Sequence, residues 1–359
     1  MKTKILATGL TGLVGSRLTE LLGDVYEFDQ ISLDQGIDIL DKEAVSDKFS
    51  SSDASLVIHM AAKTNVDSCE ADKERDKQIL EFKNTEEKEK AWKSEKTAWA
   101  VNVFGTQNIV EVCQKTNKKI IYISTDFVFD GKKRVYSEED KPAPVNWYAK
   151  TKYEGEKLIQ ACGLDYIITR IAYPYRAFFE RNDFARALIL KLQRSENLNA
   201  VTDHIMVPTF IDDIVNALDI LIKLEQKGIF HVVGSQAITP YEAAVKIAEV
   251  FNFDKSLISQ TTRREYFTGK APRPFCLHLK NDKIGKLGIE MSTFDKGIIE
   301  VKNQRERIHL LSLTVNWYST FANPHRIEEC ISKFQKCSEQ YFFVSCLPTD
   351  NMDSFVLLK

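Results

Sequence analysis

Short apolar runs alternate with longer stretches of helical periodicity through the first half of the chain. Strand-like runs begin at Lys4, within Val25–Ser32, and at Ser55, Ile120 and Tyr166, with helical patterns in the segments between them. Such short buried runs are typical of parallel strands that are covered on both faces. The repeated order of strand and helix therefore predicts an α/β fold, with a doubly wound parallel sheet of the Rossmann type.

The regular alternation ends after Tyr173, where the pattern becomes mixed. Helical periodicity covers 182–193 and follows the loop at 207–213, and a strand is expected at 228–234. We therefore expect three parts in the chain: a dinucleotide-binding domain at 1–173, a substrate-binding part at 174–303 in which 207–235 returns to the sheet, and an extension of unknown role at 304–359.

A charged segment at 72–96 interrupts the first part. Most of its residues are charged with alternating signs, and its sparse apolar positions are Ile79, Leu80, Phe82 and Trp92. This composition is typical of a solvated helix or a flexible excursion, so we expect an insertion without chemistry of its own.

Composition narrows the possible classes of function. The 359 residues are 43% hydrophobic and 28% charged with a net charge of −2, which indicates neither nucleic acid nor an anionic membrane as a partner. No apolar run reaches the length of a membrane span and no signal region is visible, so we expect a cytoplasmic protein. Seven cysteines without a CxxC pair are typical of reduced thiols, and the histidines and cysteines of the tail fit no zinc pattern.

A glycine pattern follows the first strand. Gly9, Gly12 and Gly15 have GxxGxxG spacing between a strand and a helix, where they permit a tight turn, approach of a pyrophosphate and close helix packing. This context predicts a dinucleotide site at the helix N-terminus. The contacts expected in this turn are Gly9, Thr11, Gly12, Leu13, Val14 and Gly15.

The second strand supplies a prediction about the choice of cofactor. Asp29 lies twenty residues after Gly9, where an acidic group would bond the adenosine ribose hydroxyls. Because no Arg or Lys lies between Asp24 and Asp41, the sequence slightly favours NADH over NADPH, although Arg17 could reach that region.

The local pattern also suggests roles for four further residues. Ala61 and Ala62 follow the third strand and would let the backbone lie against a flat ligand, whereas His59 is interpreted as a structural strand-end residue. Asn102 is a polar residue among apolar neighbours on a helix, so either it bonds a backbone partner or it lines the site.

The candidate catalytic groups come from the fourth strand and the helix that follows it. Tyr148 and Lys152 have i, i+4 spacing on one helix face, where the ammonium could lower the pKa of the phenol. Thr125 at the end of the strand could bond the same substrate oxygen. A tyrosine tuned in this way can act as a general acid or base.

With these residues in place, the chain resembles the extended short-chain dehydrogenase/reductase superfamily and, within it, the dTDP-4-dehydrorhamnose reductase family. The resemblance extends from the N-terminus to about residue 300. The matching stretches are Gly9–Gly15, Val57–Glu70, Ile123–Gly131, Tyr148–Glu156, Asp203–Thr209 and Pro272–Pro274.

The resemblance implies that Thr125, Tyr148 and Lys152 are the catalytic trio, with Lys152 also holding the nicotinamide ribose of NAD or NADP. It leaves a homodimer open. The cofactor contacts then include Asp38, Ile39, Ala61, Ala62, Asn102 and Ser124. The contacts to a nucleotide-linked sugar are Thr64, Val66, Thr125, Asp126, Phe127, Tyr148, Tyr173, Asn182 and Arg273.

The implied activity is NAD(P)H-dependent reduction of the 4-keto group of a nucleotide-linked deoxysugar, as in dTDP-rhamnose biosynthesis. Sugar-nucleotide dehydratases and epimerases share the fold. Phe127 stands where a dehydratase carries an acid, which disfavours dehydration but not epimerisation. A third hypothesis is a non-catalytic dinucleotide-binding subunit that resembles the beta subunit of methionine adenosyltransferase.

Overall fold

A computed structural model of the chain describes residues 2–321, with side-chain surroundings as far as residue 307. The strands are β1 Thr3–Thr8, β2 Tyr26–Ile31, β3 Leu56–His59, β4 Lys119–Thr125, β5 Tyr166–Ile171, β6 Pro174–Tyr175, β7 Leu198–Val201, β8 Thr209–Phe210, β9 Gly228–His231 and β10 Ile258–Thr261.

The helices alternate with these strands in the first half of the chain. They are α1 Leu13–Leu22, α2 Lys42–Ser51, α3 Val66–Leu80, α4 Thr85–Glu95, α5 Gly105–Thr116, α6 Trp147–Ala161, α7 Phe184–Gln193, α8 Ile211–Lys223, α9 Pro240–Phe251, α10 Arg263–Tyr266, α11 Asp282–Gly285 and α12 Phe294–Phe321. A turn of π-helix, Ala100–Phe104, leads into α5.

Six parallel strands form the central sheet in the order β2-β1-β3-β4-β5-β9. The predicted doubly wound α/β fold is therefore confirmed. β9 comes from the segment expected to return to the sheet and pairs with β5 at the far edge. Because all six strands run the same way, the loops after β1, β3 and β4 meet at one edge, where open α/β sheets bind ligands.

Apolar residues cover both faces of the sheet. On one face, Leu18 of α1 and Leu218 of α8 pack against Ile5 and Ile121. On the other face, residues of α2, α5 and α6 surround Leu6 and Tyr122. A separate apolar cluster joins α7, α9 and the start of α12. Each layer is thus fixed to the sheet by burial of apolar side chains, which is the main stabilising contribution in a domain of this size.

The charged segment is a helical hairpin, α3 and α4, rather than a flexible excursion. Its apolar positions are packed: Ile79 is fully buried, and Trp92 is 7% exposed with its ring 5.0 Å from that of Phe104. The charged residues on the outer faces form ion pairs such as Arg75–Glu95. The composition identified the solvated face correctly but not the sparse apolar stripe that anchors it.

A buried carboxylate, Asp76, joins this hairpin to α6. It accepts hydrogen bonds from the indole N–H of Trp147 at 2.7 Å and from the backbone N–H of Trp99 at 3.1 Å, and it also bonds Thr97. Burial raises the pKa of Asp76 above its usual value. Since Trp147 is the first residue of α6, the hairpin fixes the start of the helix that carries the candidate catalytic residues.

The described residues also bear on the membrane spans, cysteines and metal sites considered from the sequence. Within residues 2–321, no helix combines the length and apolar composition needed to span a bilayer. Cys69, Cys113, Cys162 and Cys276 are buried free thiols, and no group of metal-ligating side chains occurs among the described residues. The chain divides into two units after Lys302. The cysteines and the final apolar run of the tail lie outside the described residues.

Replacing Asp76 by Ala should destabilise the protein. The change leaves the indole N–H of Trp147 and the backbone N–H of Trp99 buried without an acceptor, and such groups cost about 1–3 kcal/mol each. Urea unfolding followed by circular dichroism measures this loss. The matched control is Glu74→Ala on the same helix, because Glu74 pairs with Lys77 on the surface and should contribute nothing measurable. Equal unfolding midpoints for the two variants would contradict the role given to Asp76.

Candidate active site

The loops at the carboxyl edge of the sheet enclose a cleft of about 870 Å³. Its walls come from the turn after β1, the segments after β2 and β3, the end of β4, the first turns of α6 and the loop after β5. Most of the predicted site residues line it: Gly9, Thr11, Gly12, Leu13, Val14, Gly15, Asp38, Ile39, Ala61, Ala62, Thr64, Val66, Ser124, Thr125, Asp126, Phe127, Tyr148, Lys152, Tyr173 and Asn182.

The glycine turn forms the floor of the cleft. Gly9 has a φ of +73°, and a Cβ there would lie 2.7 Å from the backbone nitrogen of Ala61. A Cβ on Gly15 would lie 2.4 Å from the carbonyl oxygen of Gly9. The first turn of α1 has no acidic residue, and its N-cap Gly12 has no side chain to occupy the free N–H groups. These features fit the diphosphate of a dinucleotide.

Asp29 does not line the cleft, although the sequence predicted that it would bond the adenosine ribose there. It lies within β2 opposite Leu6, and its carboxylate pairs with Lys48 of α2 instead of lining the cleft. The strand continues to Ile31, and the first acidic residue after it that lines the cleft is Asp34. The prediction that Asp29 bonds the ribose is not supported by this placement.

The cations near this end of the cleft also differ from expectation. The guanidinium of Arg17 is held by Asp212 at 2.7 Å and by Glu20 at 2.8 Å, and Arg17 does not line the cleft. Lys96, which follows the last helix of the hairpin, does line it and pairs with Asp38 at 2.9 Å. Sequence reasoning missed Lys96 because it lies far along the chain from β2, inside a segment interpreted as solvated.

Asn102 forms hydrogen bonds behind the site and does not line the cleft. Its side-chain oxygen, Oδ1, accepts from the backbone N–H of Lys63 at 2.8 Å. Its amide donates to the carbonyl of Lys63 at 3.0 Å and to the hydroxyl of Thr151 at 2.9 Å. The first of the two alternatives for Asn102 is therefore the one observed, and its assignment as a cofactor contact is not supported. It joins the segment after β3 to α6.

His59 has the structural role expected of it. The side chain is fully buried, with Nδ1 2.7 Å from the hydroxyl of Thr8 and Nε2 3.0 Å from that of Thr106. Burial lowers the pKa of His59 to about 3, and the nearby charge of Lys152 acts in the same direction. A neutral imidazole with both nitrogens bonded has no free group for catalysis.

The candidate catalytic residues meet as predicted at the start of α6. The side chain of Asn146 caps this helix by accepting from the backbone N–H of Ala149 at 2.8 Å. Tyr148 and Lys152 then lie one turn apart, both are buried, and both line the cleft with Thr125 at the end of β4. The i, i+4 spacing on a capped helix is sufficient to produce this arrangement.

Lys152 is a buried ammonium with few compensating contacts. Its Nζ lies 4.0 Å from the ring centroid of Tyr122, and burial lowers its pKa to about 7, an effect that the charge of Glu156 opposes. Glu156 in turn pairs with Arg170 at 2.7 Å and accepts from the hydroxyl of Ser124 at 2.6 Å. Burial therefore makes the ammonium of Lys152 easier to deprotonate than that of an exposed lysine.

Tyr148 does not have the lowered pKa that the sequence predicted. Burial raises the pKa of its phenol, whereas a hydrogen bond with Thr125 acts in the opposite direction. Burial outweighs any stabilisation of the phenolate by Lys152, because the low-dielectric surroundings disfavour the charged form. The phenol is consequently protonated at neutral pH, which is the form that a proton donor requires.

Asp126 and two aromatic rings form a wall beside the catalytic residues. Asp126 is 2% exposed; its Oδ1 accepts from Thr125 at 3.0 Å, and its Oδ2 has no hydrogen-bond partner among the described residues. Burial raises the pKa of Asp126 to about 7. Phe127 makes edge contacts with the rings of Tyr148 at 6.2 Å and Tyr173 at 6.1 Å. An unpaired buried carboxylate oxygen beside apolar rings suits a polyhydroxylated ligand.

Arg273 is the remaining departure from the predicted site. Its guanidinium pairs with Asp67 at 2.9 Å and donates to the carbonyl of Ala271 at 2.7 Å, and it does not line the cleft. The segment between β6 and α7 instead contributes Phe179 and Arg181, neither of which has a sequence motif that would have marked it. Both follow the point where the strand–helix alternation ends.

Comparison with known proteins gives the same picture. The chain is 28% identical over 320 residues to dTDP-4-dehydrorhamnose reductase from Aggregatibacter actinomycetemcomitans, covering 84% of this chain and 99% of the relative. It is 28% identical over 313 residues to the mouse methionine adenosyltransferase 2 subunit beta, covering 83% and 86%. The crystal structure of dTDP-4-dehydrorhamnose reductase from Bacillus anthracis in complex with NADP superposes with a TM-score of 0.73 at 27% identity, covering 85% of this chain and all of that one.

The family match covers most of the chain. The RmlD substrate binding domain matches residues 3–87 and 84–306, and its two segments meet within the helical hairpin. Together with the parallel sheet, the glycine turn and the Thr125–Tyr148–Lys152 trio, this match establishes that the chain belongs to the RmlD substrate-binding-domain family of sugar-nucleotide reductase-like proteins.

Proposed function

We propose that this protein reduces the 4-keto group of a nucleotide-linked deoxysugar with NADH or NADPH. The observation that carries the proposal is the convergence of Thr125, Tyr148 and Lys152 on the cleft that also holds the glycine turn. The relatives named as dTDP-4-dehydrorhamnose reductases support the same class of substrate.

The residues of the cleft suit proton delivery to a developing alkoxide. A bound dihydronicotinamide supplies the hydride to the carbonyl carbon. Tyr148 is protonated at neutral pH and gives its proton to the carbonyl oxygen as negative charge develops there. Thr125 bonds the same oxygen, and the ammonium of Lys152 stabilises the phenolate that remains. Asp126 accepts from a sugar hydroxyl through its unpaired oxygen.

Among enzymes with this fold, a dehydratase is disfavoured. Elimination of water needs an acid beside the reacting carbons, and Phe127 occupies that place with an apolar ring in contact with Tyr148. An epimerase remains a second enzymatic candidate because it could use the same tyrosine. Product analysis distinguishes the two, since a reductase consumes one equivalent of NAD(P)H for each sugar and an epimerase consumes none.

The non-catalytic candidate rests on one observation. The chain is as similar to the mouse methionine adenosyltransferase 2 subunit beta as to a named reductase, at 28% identity in both cases. An assay distinguishes the catalytic from the non-catalytic candidate. Purified protein is mixed with NADH or NADPH and a panel of nucleotide-linked 4-keto sugars, and oxidation of the cofactor is followed. Absence of cofactor oxidation by folded protein that binds dinucleotide would favour the regulatory role.

We expect NADH to bind at least as tightly as NADPH. The acidic Asp34 follows β2 and lines the cleft, where it would repel a 2′-phosphate, and the ammonium of Lys96 is already paired with Asp38. Fluorescence titration of both dinucleotides measures the ratio of their dissociation constants. Asp34→Asn should improve the affinity for NADPH, whereas Asp24→Asn on the exposed turn before β2 should not. A clear NADPH preference in the wild type would refute this expectation.

Tyr148→Phe should leave folding and dinucleotide affinity intact, because the ring is retained and the change removes a single hydroxyl. Loss of the proton donor should lower turnover by roughly 10²–10⁴-fold, the usual effect of general acid catalysis. Steady-state rates with saturating NADH and a 4-keto sugar nucleotide measure it. Tyr153→Phe, on the same helix but outside the cleft, is the matched control. Turnover of Tyr148→Phe within a few-fold of the wild type would show that another group is the acid.

Dinucleotide affinity should weaken as pH rises through about 7. Burial lowers the pKa of Lys152 to about 7, so the cation that holds the ribose is present below this pH and is lost above it. If binding raises this pKa by one unit, affinity falls about tenfold across the transition. Titration of dinucleotide fluorescence from pH 6 to 9 measures the change.

The control for this pH dependence uses the same helix. Lys152→Met should bind weakly with a flat profile. Lys150→Met should keep the profile of the wild type, because Lys150 pairs with Glu154 on the outer face. A flat wild-type profile, or one that survives in Lys152→Met, would assign the transition to another group.

A further inference from the structure

Tyr173 has a backbone conformation that an aromatic residue rarely adopts. Its φ is +41°, in the left-handed region that favours glycine, and it lies two residues after the end of β5 in the wall of the cleft. Strained residues of this kind persist only where their surroundings fix them, and they concentrate at functional sites. The contacts that fix Tyr173 are therefore informative.

The hydroxyl of Tyr173 is fixed by a buried histidine. It lies 2.7 Å from Nε2 of His204, a side chain that is 1% exposed. Nδ1 of His204 lies 2.9 Å from the carbonyl oxygen of Pro274, which can only accept. The proton of the neutral imidazole must then be on Nδ1, so Nε2 accepts from the Tyr173 hydroxyl. Burial lowers the pKa of His204 to about 4, which keeps the ring neutral.

The Pro274 carbonyl connects this pair to a loop that also contacts α6 and α3. In the same loop the carbonyl of Pro272 accepts from the side chain of Asn146, the N-cap of α6, at 2.9 Å. Arg273 between them pairs with Asp67 at the start of α3. One short loop thus connects the catalytic helix, the hairpin and, through His204, the ring of Tyr173.

The direction of the Tyr173 hydroxyl matters because of its neighbours. The ring of Tyr173 contacts that of Phe127 at 6.1 Å, and both residues line the cleft with Asp126. A phenol released from His204 would let this ring move, and the shape of the wall would change with it.

We propose that His204 is a positioning residue for the sugar: by accepting from the Tyr173 hydroxyl it fixes the ring as a wall of the sugar pocket. The proposal rests on the proposed function, because it assigns the sugar to this wall. It differs from a packing role for His204, which would affect stability but would not depend on the hydroxyl of Tyr173.

The first test separates sugar binding from cofactor binding. Loss of one hydrogen bond that fixes a ligand wall corresponds to about a tenfold change. His204→Leu should therefore raise KM for the 4-keto sugar nucleotide about tenfold, with the dinucleotide dissociation constant within twofold of the wild type. His204→Gln, which can still accept from Tyr173 and donate to Pro274, should restore most of the affinity. His278→Gln, which lies outside the cleft, is the control. Equal losses of both affinities, or no rescue by Gln, would overturn the proposal.

The second test asks whether the effect acts through the Tyr173 hydroxyl. In the Tyr173→Phe background, His204→Leu should raise KM no further, because the hydroxyl that it positions is absent. Multiplicative effects of the two changes would show that His204 acts through packing alone.

A third measurement does not require turnover. In ¹⁵N-histidine spectra of the wild type, His204 should be neutral with its proton on Nδ1, and its Nε2 resonance should move in Tyr173→Phe. A proton on Nε2 would overturn the positioning role whatever the substrate is. The wild type could show this tautomer and this shift and yet fail to oxidise NAD(P)H with any 4-keto sugar of the panel. The proposed function would then fail while the Tyr173–His204 contact stands.

Discussion

Burial of one ammonium group constrains the whole centre of this protein. Lys152 is 3% exposed at the carboxyl edge of the sheet, where an unpaired charge would cost several kcal/mol. The protein reduces this cost with the ring of Tyr122 and the carboxylate of Glu156. Glu156 is itself fully buried and is held by Arg170. Through the contacts of Glu156 with Ser124 and Arg170, the surroundings of Lys152 on α6 are linked to β4 and β5.

Helix α6 also lies very close to β4. A Cβ on Gly155 would lie 2.3 Å from the hydroxyl oxygen of Tyr122, so α6 can lie against β4 only because this position is a glycine. Asn102 then joins α6 to the segment after β3 through hydrogen bonds to Thr151 and Lys63. Close packing and satisfied buried polar groups together fix α6, which carries Tyr148 and Lys152, against the sheet.

The sequence predicted the parts of this arrangement that depend on local spacing. The six strands of the central sheet, the glycine turn and the placement of Tyr148 and Lys152 in one cleft follow from periods of a few residues, and all are observed. Asp29 was misplaced because a count of residues from the glycine turn does not say where β2 ends or that Lys48 takes the carboxylate. The raised pKa of Tyr148 depends on burial by distant segments, which no local spacing reveals.

The hairpin at 72–96 shows how an insertion can serve a site that it does not interrupt. At the base of the hairpin, Asp76 and Glu70 accept from the indole and the backbone N–H of Trp147, and so hold the first residue of the catalytic helix. Lys96 follows α4 at this same end, next to Thr97, which bonds Asp76; it lines the cleft and pairs with Asp38. The base of the hairpin therefore connects the first turn of α6 with the segment after β2. A charged surface outside and a few buried groups inside are sufficient for that connection, which explains why its composition alone gave so little sign of a role.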